Sequence, residues 1–263
     1  MNTTSVVIVC AVMGPVIGSF LTVVVDRVPR GASIVAPPSA CGSCGTRLTV
    51  VDLVPIVSWI ALRGRCRRCG TKIGVEPIVV EVATTALFIA FAVELGPDPA
   101  LPSYLVFASA LIALVWIDLR EFRLPREISY TALALGAVAL AIAALVDGDS
   151  ARLGRAAIGA GIALVAMAAV YLASRGGMGD GDVRFAPLLG FYLGERGLAL
   201  VPVGLFMGFV LGAVVGLTMI ALGRGDRKTA LPFGPFLAAG TLITIFVGQD
   251  IVDGLGLADL WHG

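Results

Sequence analysis

Histidine is almost missing from this chain. His262 is the single one among 263 residues, so proteolysis by a histidine-held metal is excluded. Charge is scarce as well, at 14% of residues, where a soluble domain carries about a quarter. A net charge of +1 leaves no basic excess to hold a polyanion, which argues against nucleic acid as a partner. No cation precedes Arg27, so the first apolar segment lacks the basic start of a cleaved signal peptide and reads as a retained span. There is no dinucleotide-binding glycine fingerprint, no low-complexity tract and no convincing internal repeat.

What the chain has instead is apolar length. Hydrophobic residues make up 58% of it, mean hydropathy is +0.97, and its 33 glycines suit close helix packing in lipid. Spans of roughly 20 apolar residues are expected over 5–25, 77–95, 101–118, 128–146, 156–173, 198–222 and 231–248, with a shorter apolar piece at 183–194. With the N-terminus outside and all eight crossing, the inside loops 26–76, 119–127, 174–184 and 223–230 hold 8, 3, 2 and 3 Lys/Arg, which is 16 of the 19. Arg152, Arg155 and Arg196 remain outside, as the positive-inside bias favours. If 183–194 did not cross, Arg224, Arg227 and Lys228 would lie outside. With all eight crossing, the acidic tail with Asp250, Asp253 and Asp259 falls outside. The expected fold is an all-α polytopic membrane protein of about eight transmembrane helices in a lipid bilayer, with a small cytoplasmic zinc-binding loop domain. Its divisions are a first transmembrane helix over 1–25, a cytoplasmic four-cysteine loop over 26–76, and a multi-span body over 77–263.

The loop reads Cys41-Gly42-Ser43-Cys44, then 21 residues, then Cys66-Arg67-Arg68-Cys69. Each CxxC lets two thiolates grip one ion, and two such knuckles complete a tetrahedral four-cysteine zinc site. A cytosolic loop disfavours disulfides. Four thiolates leave no open position for water, so the metal is structural. Arg65, Arg67, Arg68 and Lys72 favour thiolate over thiol. Cys10, alone in the first span, reads as a packing residue.

Acids at membrane depth are costly and tend to be functional. Asp118 ends the third span, Asp180 and Asp182 stand in Gly176-Gly177-Met178-Gly179-Asp180-Gly181-Asp182, and Glu81 lies early in the second span. Taken singly, Asp118 reads as a helix-end residue and Asp182 as a helix N-cap. Together on the cytoplasmic side they make an aspartic protease pair, in which like charges share one proton. One carboxylate then activates water while the other acts as the acid.

The order of motifs resembles the bacterial type IV prepilin peptidases over residues 14–245. Gly18-Ser19-Phe20-Leu21-Thr22-Val23-Val24 with Arg27-Val28-Pro29-Arg30-Gly31 is similar to the family's first-span ending. Pro55-Ile56-Val57-Ser58-Trp59 with Leu62-Arg63-Gly64-Arg65-Cys66-Arg67-Arg68-Cys69 is similar to its cysteine domain. Asp118-Leu119-Arg120 with Leu124-Pro125 resembles its first aspartate motif, Gly177-Met178-Gly179-Asp180-Gly181-Asp182-Val183-Arg184 its GxGD motif, and Pro232-Phe233-Gly234-Pro235-Phe236 a late segment. Departures are Arg126 at a usually acidic or amide position, Arg184 for Lys, Thr22 for Asn, and Glu76-Pro77-Ile78 where Arg-Tyr-Pro is common.

The resemblance implies an aspartic endopeptidase of the bacterial cytoplasmic membrane. It would remove a basic leader after a glycine from prepilin or pseudopilin precursors at the cytoplasmic face. Carried over by motif, the catalytic pair is Asp118 and Asp182; the Val183-Arg184 that follows selects Asp182 over Asp180. The resemblance also implies N-methylation of the new terminus with S-adenosylmethionine, with Glu81 at an acidic position associated with methyl transfer. The rival readings are a GxGD-type protease for other membrane substrates and an Asp-dependent proton-coupled transporter. The cysteine loop disfavours the first, and edge-placed acids without a repeat disfavour the second.

Overall fold

A computed structural model of the chain describes residues 2–174, 177–224 and 231–254, with side chains as far as residue 248. Arg227, Lys228 and His262, Gly176 of the glycine-rich string, and the side chains of the acidic tail lie outside the described residues. The described residues are helical throughout, apart from loops and two isolated β-bridges. The helices are α1 Thr3–Arg27, α2 Val57–Ala61, α3 Glu76–Leu95, α4 Leu101–Glu121, α5 Arg126–Asp147, α6 Ala151–Ala173, α7 Asp180–Arg196, α8 Leu200–Ala221 and α9 Gly234–Gly254, with a 3₁₀ turn at Val50–Leu53.

Each of the eight apolar segments expected from hydropathy lies in one of these helices, to within three residues at the segment's ends. Six (α1, α3, α4, α5, α6 and α8) are long and apolar enough to cross a membrane, so the protein is a multi-pass membrane protein. Helix α7 has 17 residues, and the described apolar part of α9, Gly234–Gly248, is also shorter than a full span. Lipid leaves backbone groups no outside partner, and helices satisfy their own.

The chain forms two compact units. The first holds Met1–Leu101 with Ala108–Ala113; the second holds Pro102–Phe107 with Leu114–Gly263. In the first unit α1 begins at Asn2, whose side chain caps the Ser5 N–H at 2.9 Å. It packs on α3 across Gly14 and Gly18, spaced as the GxxxG pattern that lets helix backbones meet. A Cβ on Gly18 would stand 2.6 Å from the Glu81 Cα, and one on Gly14 2.6 Å from the Thr85 Cα. Between α1 and α3 runs the cysteine loop, with little regular structure.

In the second unit α7 is the centre. Every residue from Leu188 to Glu195 is buried, and the helix packs against α5, α6, α8 and α9. Its contact with α6 is backbone on backbone: a Cβ on Gly159 would stand 2.3 Å from the Gly190 carbonyl oxygen and 2.6 Å from the Gly194 Cα. A helix buried on all sides is core, which explains why so short an apolar segment is nevertheless a complete helix.

Candidate functional site

The cysteine loop is built from two near-identical turns. Cys41-Gly42-Ser43-Cys44-Gly45-Thr46 and Cys66-Arg67-Arg68-Cys69-Gly70-Thr71 share their first, fourth, fifth and sixth residues. In the first, the Cys41 N–H donates to the Thr46 carbonyl and the Gly45 N–H to the Cys41 carbonyl, both at 2.9 Å; in the second, Cys66, Thr71 and Gly70 repeat both bonds at 2.9 Å. Gly45 and Gly70 sit at φ +68° and +70°, the left-handed region that glycine enters without strain. A bridge between Ala40 and Arg47 closes one turn, and one between Arg65 and Lys72 closes the other. This local duplication is a repeat that the sequence reading did not find. The signal was the CxxCGT string, hidden because the two variable positions differ completely.

The four sulfurs lie within 4.8 Å of one another, and none is in a disulfide. Cys41 Sγ and Cys69 Sγ are 3.8 Å apart. Tetrahedral zinc with Zn–S bonds of 2.3 Å requires sulfur–sulfur edges of about 3.8 Å, so the donor set and its spacing fit the ion. The Thr46 hydroxyl, 3.4 Å from Cys44 Sγ, holds that thiol below its ordinary range, and Thr71 does the same for Cys69. Backbone amides of Cys69 and Arg68 lower Cys66. For these three, though not for Cys41, which is raised, this favours the thiolate, the form that binds metal. Asp52 braces the second knuckle. It bonds Thr49 through its hydroxyl and N–H, pairs with Arg67 at 2.7 Å, and is held down at about 2 by those contacts.

Glu81 is buried in α3, and its Oε2 accepts the Ile56 N–H at 2.7 Å. The Ser19 side chain of α1 lies near it. Its hydrogen-bond donor is therefore a backbone amide of the cysteine loop. Ile56 stands at φ 60°, ψ −54°, and the Val57 N–H donates to the Pro55 carbonyl at 2.5 Å. That is a γ-turn of the rarer, strained kind, costing about 1–3 kcal/mol in a branched residue. The turn aims the Ile56 amide at the carboxylate. Sequence inspection gives no sign of it.

In the second unit Asp118 and Asp182 come together. Asp118 lies near the C-terminal end of α4 and is 5% exposed; Asp182 lies in the first turn of α7 and is 7% exposed. They are near enough for their charges to act on one another. Asp118 Oδ2 accepts the Gly234 N–H at 2.9 Å, from the first residue of α9. Each carboxylate thus meets the N-terminal end of a helix, where the backbone dipole favours negative charge.

Glycine gives the room. A Cβ on Gly234 would stand 2.8 Å from Asp118 Oδ2 and 3.0 Å from Leu124, and a Cβ on Gly181 would stand 3.2 Å from the Leu124 Cβ. Leu124, in the turn between α4 and α5, is packed between both glycines. Gly234 and Leu124 stand within family-like motifs, but nothing in the sequence assigns either a role. Asp180, two residues from Asp182, is exposed and pairs with Arg184 at 2.6 Å. Two residues, about 200° around the helix, therefore separate an inward acid from an outward one.

Residues 12–95 match the family model described as the bacterial Peptidase A24 N-terminal domain, and residues 105–217 match that of the type IV leader peptidase family. A prepilin leader peptidase/N-methyltransferase of Bacillus subtilis is 32% identical over 241 residues, covering 92% of this chain and 94% of the relative. One from Burkholderia pseudomallei (strain 1026b) is 35% identical over 267 residues, with coverages of 90% and 84%. One from Myxococcus xanthus is 38% identical over 220 residues, 83% of this chain and 64% of the relative. No solved structure matches.

Proposed function

The chain belongs to the type IV leader peptidase family, and we propose that it removes the leaders of prepilin or pseudopilin precursors with Asp118 and Asp182 as the catalytic pair. The observation that carries this reading is the meeting of two buried carboxylates at the end of α4 and the start of α7, one of them held by the Gly234 N–H. The ionised carboxylate takes a proton from water, which attacks the scissile carbonyl. The protonated partner hydrogen-bonds the carbonyl oxygen and then supplies a proton to the departing amine. The like charges of the pair keep one proton in place at rest. The site works at the cytoplasmic face of the bacterial cytoplasmic membrane, a side supported by the 16 of 19 Lys/Arg that fall in the inside loops.

Zinc in this reading is structural. Cys41, Cys44, Cys66 and Cys69 would hold it, and its chemistry there is to tie two turns that have no apolar core of their own. The second activity, N-methylation, is supported by the printed names of the relatives. S-adenosylmethionine would supply the methyl group. Glu81 is the candidate on this chain: a buried carboxylate fits a cationic cofactor and the proton that the substrate amine loses.

The test is mass spectrometry of a prepilin precursor co-expressed with the wild-type chain, with Asp118→Asn or with Asp182→Asn. Loss of the leader in the wild type and its retention in both variants is the expected result. Normal processing by either variant would remove that residue from the pair. A mass gain of one methyl on the new terminus, lost in Glu81→Ala, is expected for the second activity.

A further inference from the structure

At the end of α7 remote from Asp182 lies a second buried polar cluster, which the cleavage chemistry does not use. Tyr104 of α4 donates its hydroxyl to Glu195 Oε2. Arg152 of α6 donates to Glu195 Oε1 at 2.8 Å and to Asp147 of α5 at 2.9 Å. The Tyr192 hydroxyl donates to the Ser103 carbonyl at 2.8 Å, and the Ser103 hydroxyl donates to the Gly136 carbonyl at 2.8 Å. Phe107 stacks on Tyr192 with ring centroids 4.1 Å apart. Gly136 leaves space for this, because a Cβ there would overlap the Tyr192 hydroxyl at 2.1 Å. Glu195 is 5% exposed, and Ser103, Tyr104 and Tyr192 are fully buried.

We propose that this Tyr104–Glu195 cluster is the register lock of the protease site: it fixes how far α7 slides along α4, and so whether Asp182 stands opposite Asp118. The inference rests on the reading of those two aspartates as the catalytic pair. Helices α4 and α7 run antiparallel and meet at both ends. From Tyr104 to Asp118 is 14 residues, and from Asp182 to Glu195 is 13, so both distances are about 20 Å at 1.5 Å per residue. Pinning one end therefore sets the other to within about one residue's rise.

The surface between α6 and α7 does not supply that precision. It is glycine against glycine, Gly159 on Gly190 and Gly194. Small residues let backbones approach but present few knobs to fix an axial position. A buried polar contact fixes register because a slip strands its donors and acceptors without water. A slip of one residue moves a side chain by 1.5 Å along the axis and turns it by about 100°, which would carry Asp182 off its partner.

The test uses the full-length protein in lipid nanodiscs and a prepilin precursor with a basic leader and an apolar helix. Tyr104→Phe keeps the ring and removes the hydroxyl; it is expected to lower kcat roughly tenfold and leave KM within about twofold, as misplacement of reacting groups does. Glu195→Leu should lose more. Glu195→Gln, which keeps an acceptor for Tyr104, should recover most of that loss. Geometry is read separately, without activity, as the rate of disulfide formation in the Asp118→Cys/Asp182→Cys double variant, assigned by mass spectrometry. Adding Tyr104→Phe is expected to slow it several-fold. Unchanged kcat in both Tyr104→Phe and Glu195→Leu would overturn the lock. A lower kcat with unchanged cross-linking would overturn it equally, because the cluster would then act other than by register. Slower cross-linking in a protein whose Asp118→Asn variant still cleaves would uphold the lock and defeat the catalytic reading.

Discussion

In the loop between α1 and α3 most side chains are exposed, Val50 and Val57 among them, while from Leu188 to Glu195 every residue of α7 is buried. Both regions must hold chemically demanding groups still: four thiols in one, and acids at either end of a helix in the other. The loop has no apolar core, so its order comes from two short hydrogen-bonded turns and from a metal that ties them. Helix α7 has a surrounding of helices, and its order comes from glycine-mediated close approach and from buried hydrogen bonds. Where water is present, coordination bonds fix a geometry that burial cannot. Where water is absent, each polar group must find a protein partner, and those partners define position.

The contrast breaks most visibly at the aspartates. Asp182→Asn and Asp118→Asn are each expected to lower leader cleavage by on the order of 10³-fold or more, while the protein still inserts and zinc stays bound. Substrate immunoblotting beside metal analysis checks both halves. Removing zinc attacks the other side of the contrast. Cys66→Ser/Cys69→Ser, or a chelator, should release about one zinc per chain and open 41–72 to proteolysis more than tenfold faster. The thermal transition of the second unit should not move. Absence of zinc from protein purified under reducing conditions would refute this.

Glycine at the carboxylate gives a smaller effect. Gly234→Ala places a methyl 2.8 Å from Asp118 Oδ2, so cleavage should fall roughly 10–100-fold with KM little changed. Gly181→Ala, at 3.2 Å from Leu124, should cost only a few-fold, and the order of the two variants in a kinetic assay decides it.

The mildest effect concerns acid. Asp52 is held down at about 2 by Thr49 and then Arg67, against an ordinary value near 3.9. A depressed carboxyl stabilises the fold above its unfolded value and loses that contribution as pH falls toward its folded value. The brace on the second knuckle should therefore persist at pH 5 and fade between about 4 and 2, a change that Asp52→Asn removes. Amide exchange at residues 49–52 in zinc-loaded protein reads it.

Much of this protein is legible without coordinates. The eight apolar segments, the CxxC pairs and the two aspartate motifs are local patterns, and hydropathy, thiol spacing and glycine strings report local physics. Contacts between distant residues are not local, and beyond the aspartate pair and the four-cysteine set that the motifs implied, they went unread. The amide of Ile56 reaching Glu81 is one. Gly234 donating to Asp118 across 116 positions is another. Tyr104 and Glu195, 91 apart, look in sequence like ordinary members of apolar helices.

The sequence by itself determined that the chain is a helical membrane protein with a four-cysteine loop and acids at helix ends, because composition and spacing constrain each element separately. The motif frame implied Asp182 over Asp180, and the tertiary structure decided how each acid is turned. Asp180 and Asp182 are two residues apart, about 200° around a helix, and the packing of α7 among its neighbours sends one to Arg184 and the other to Asp118.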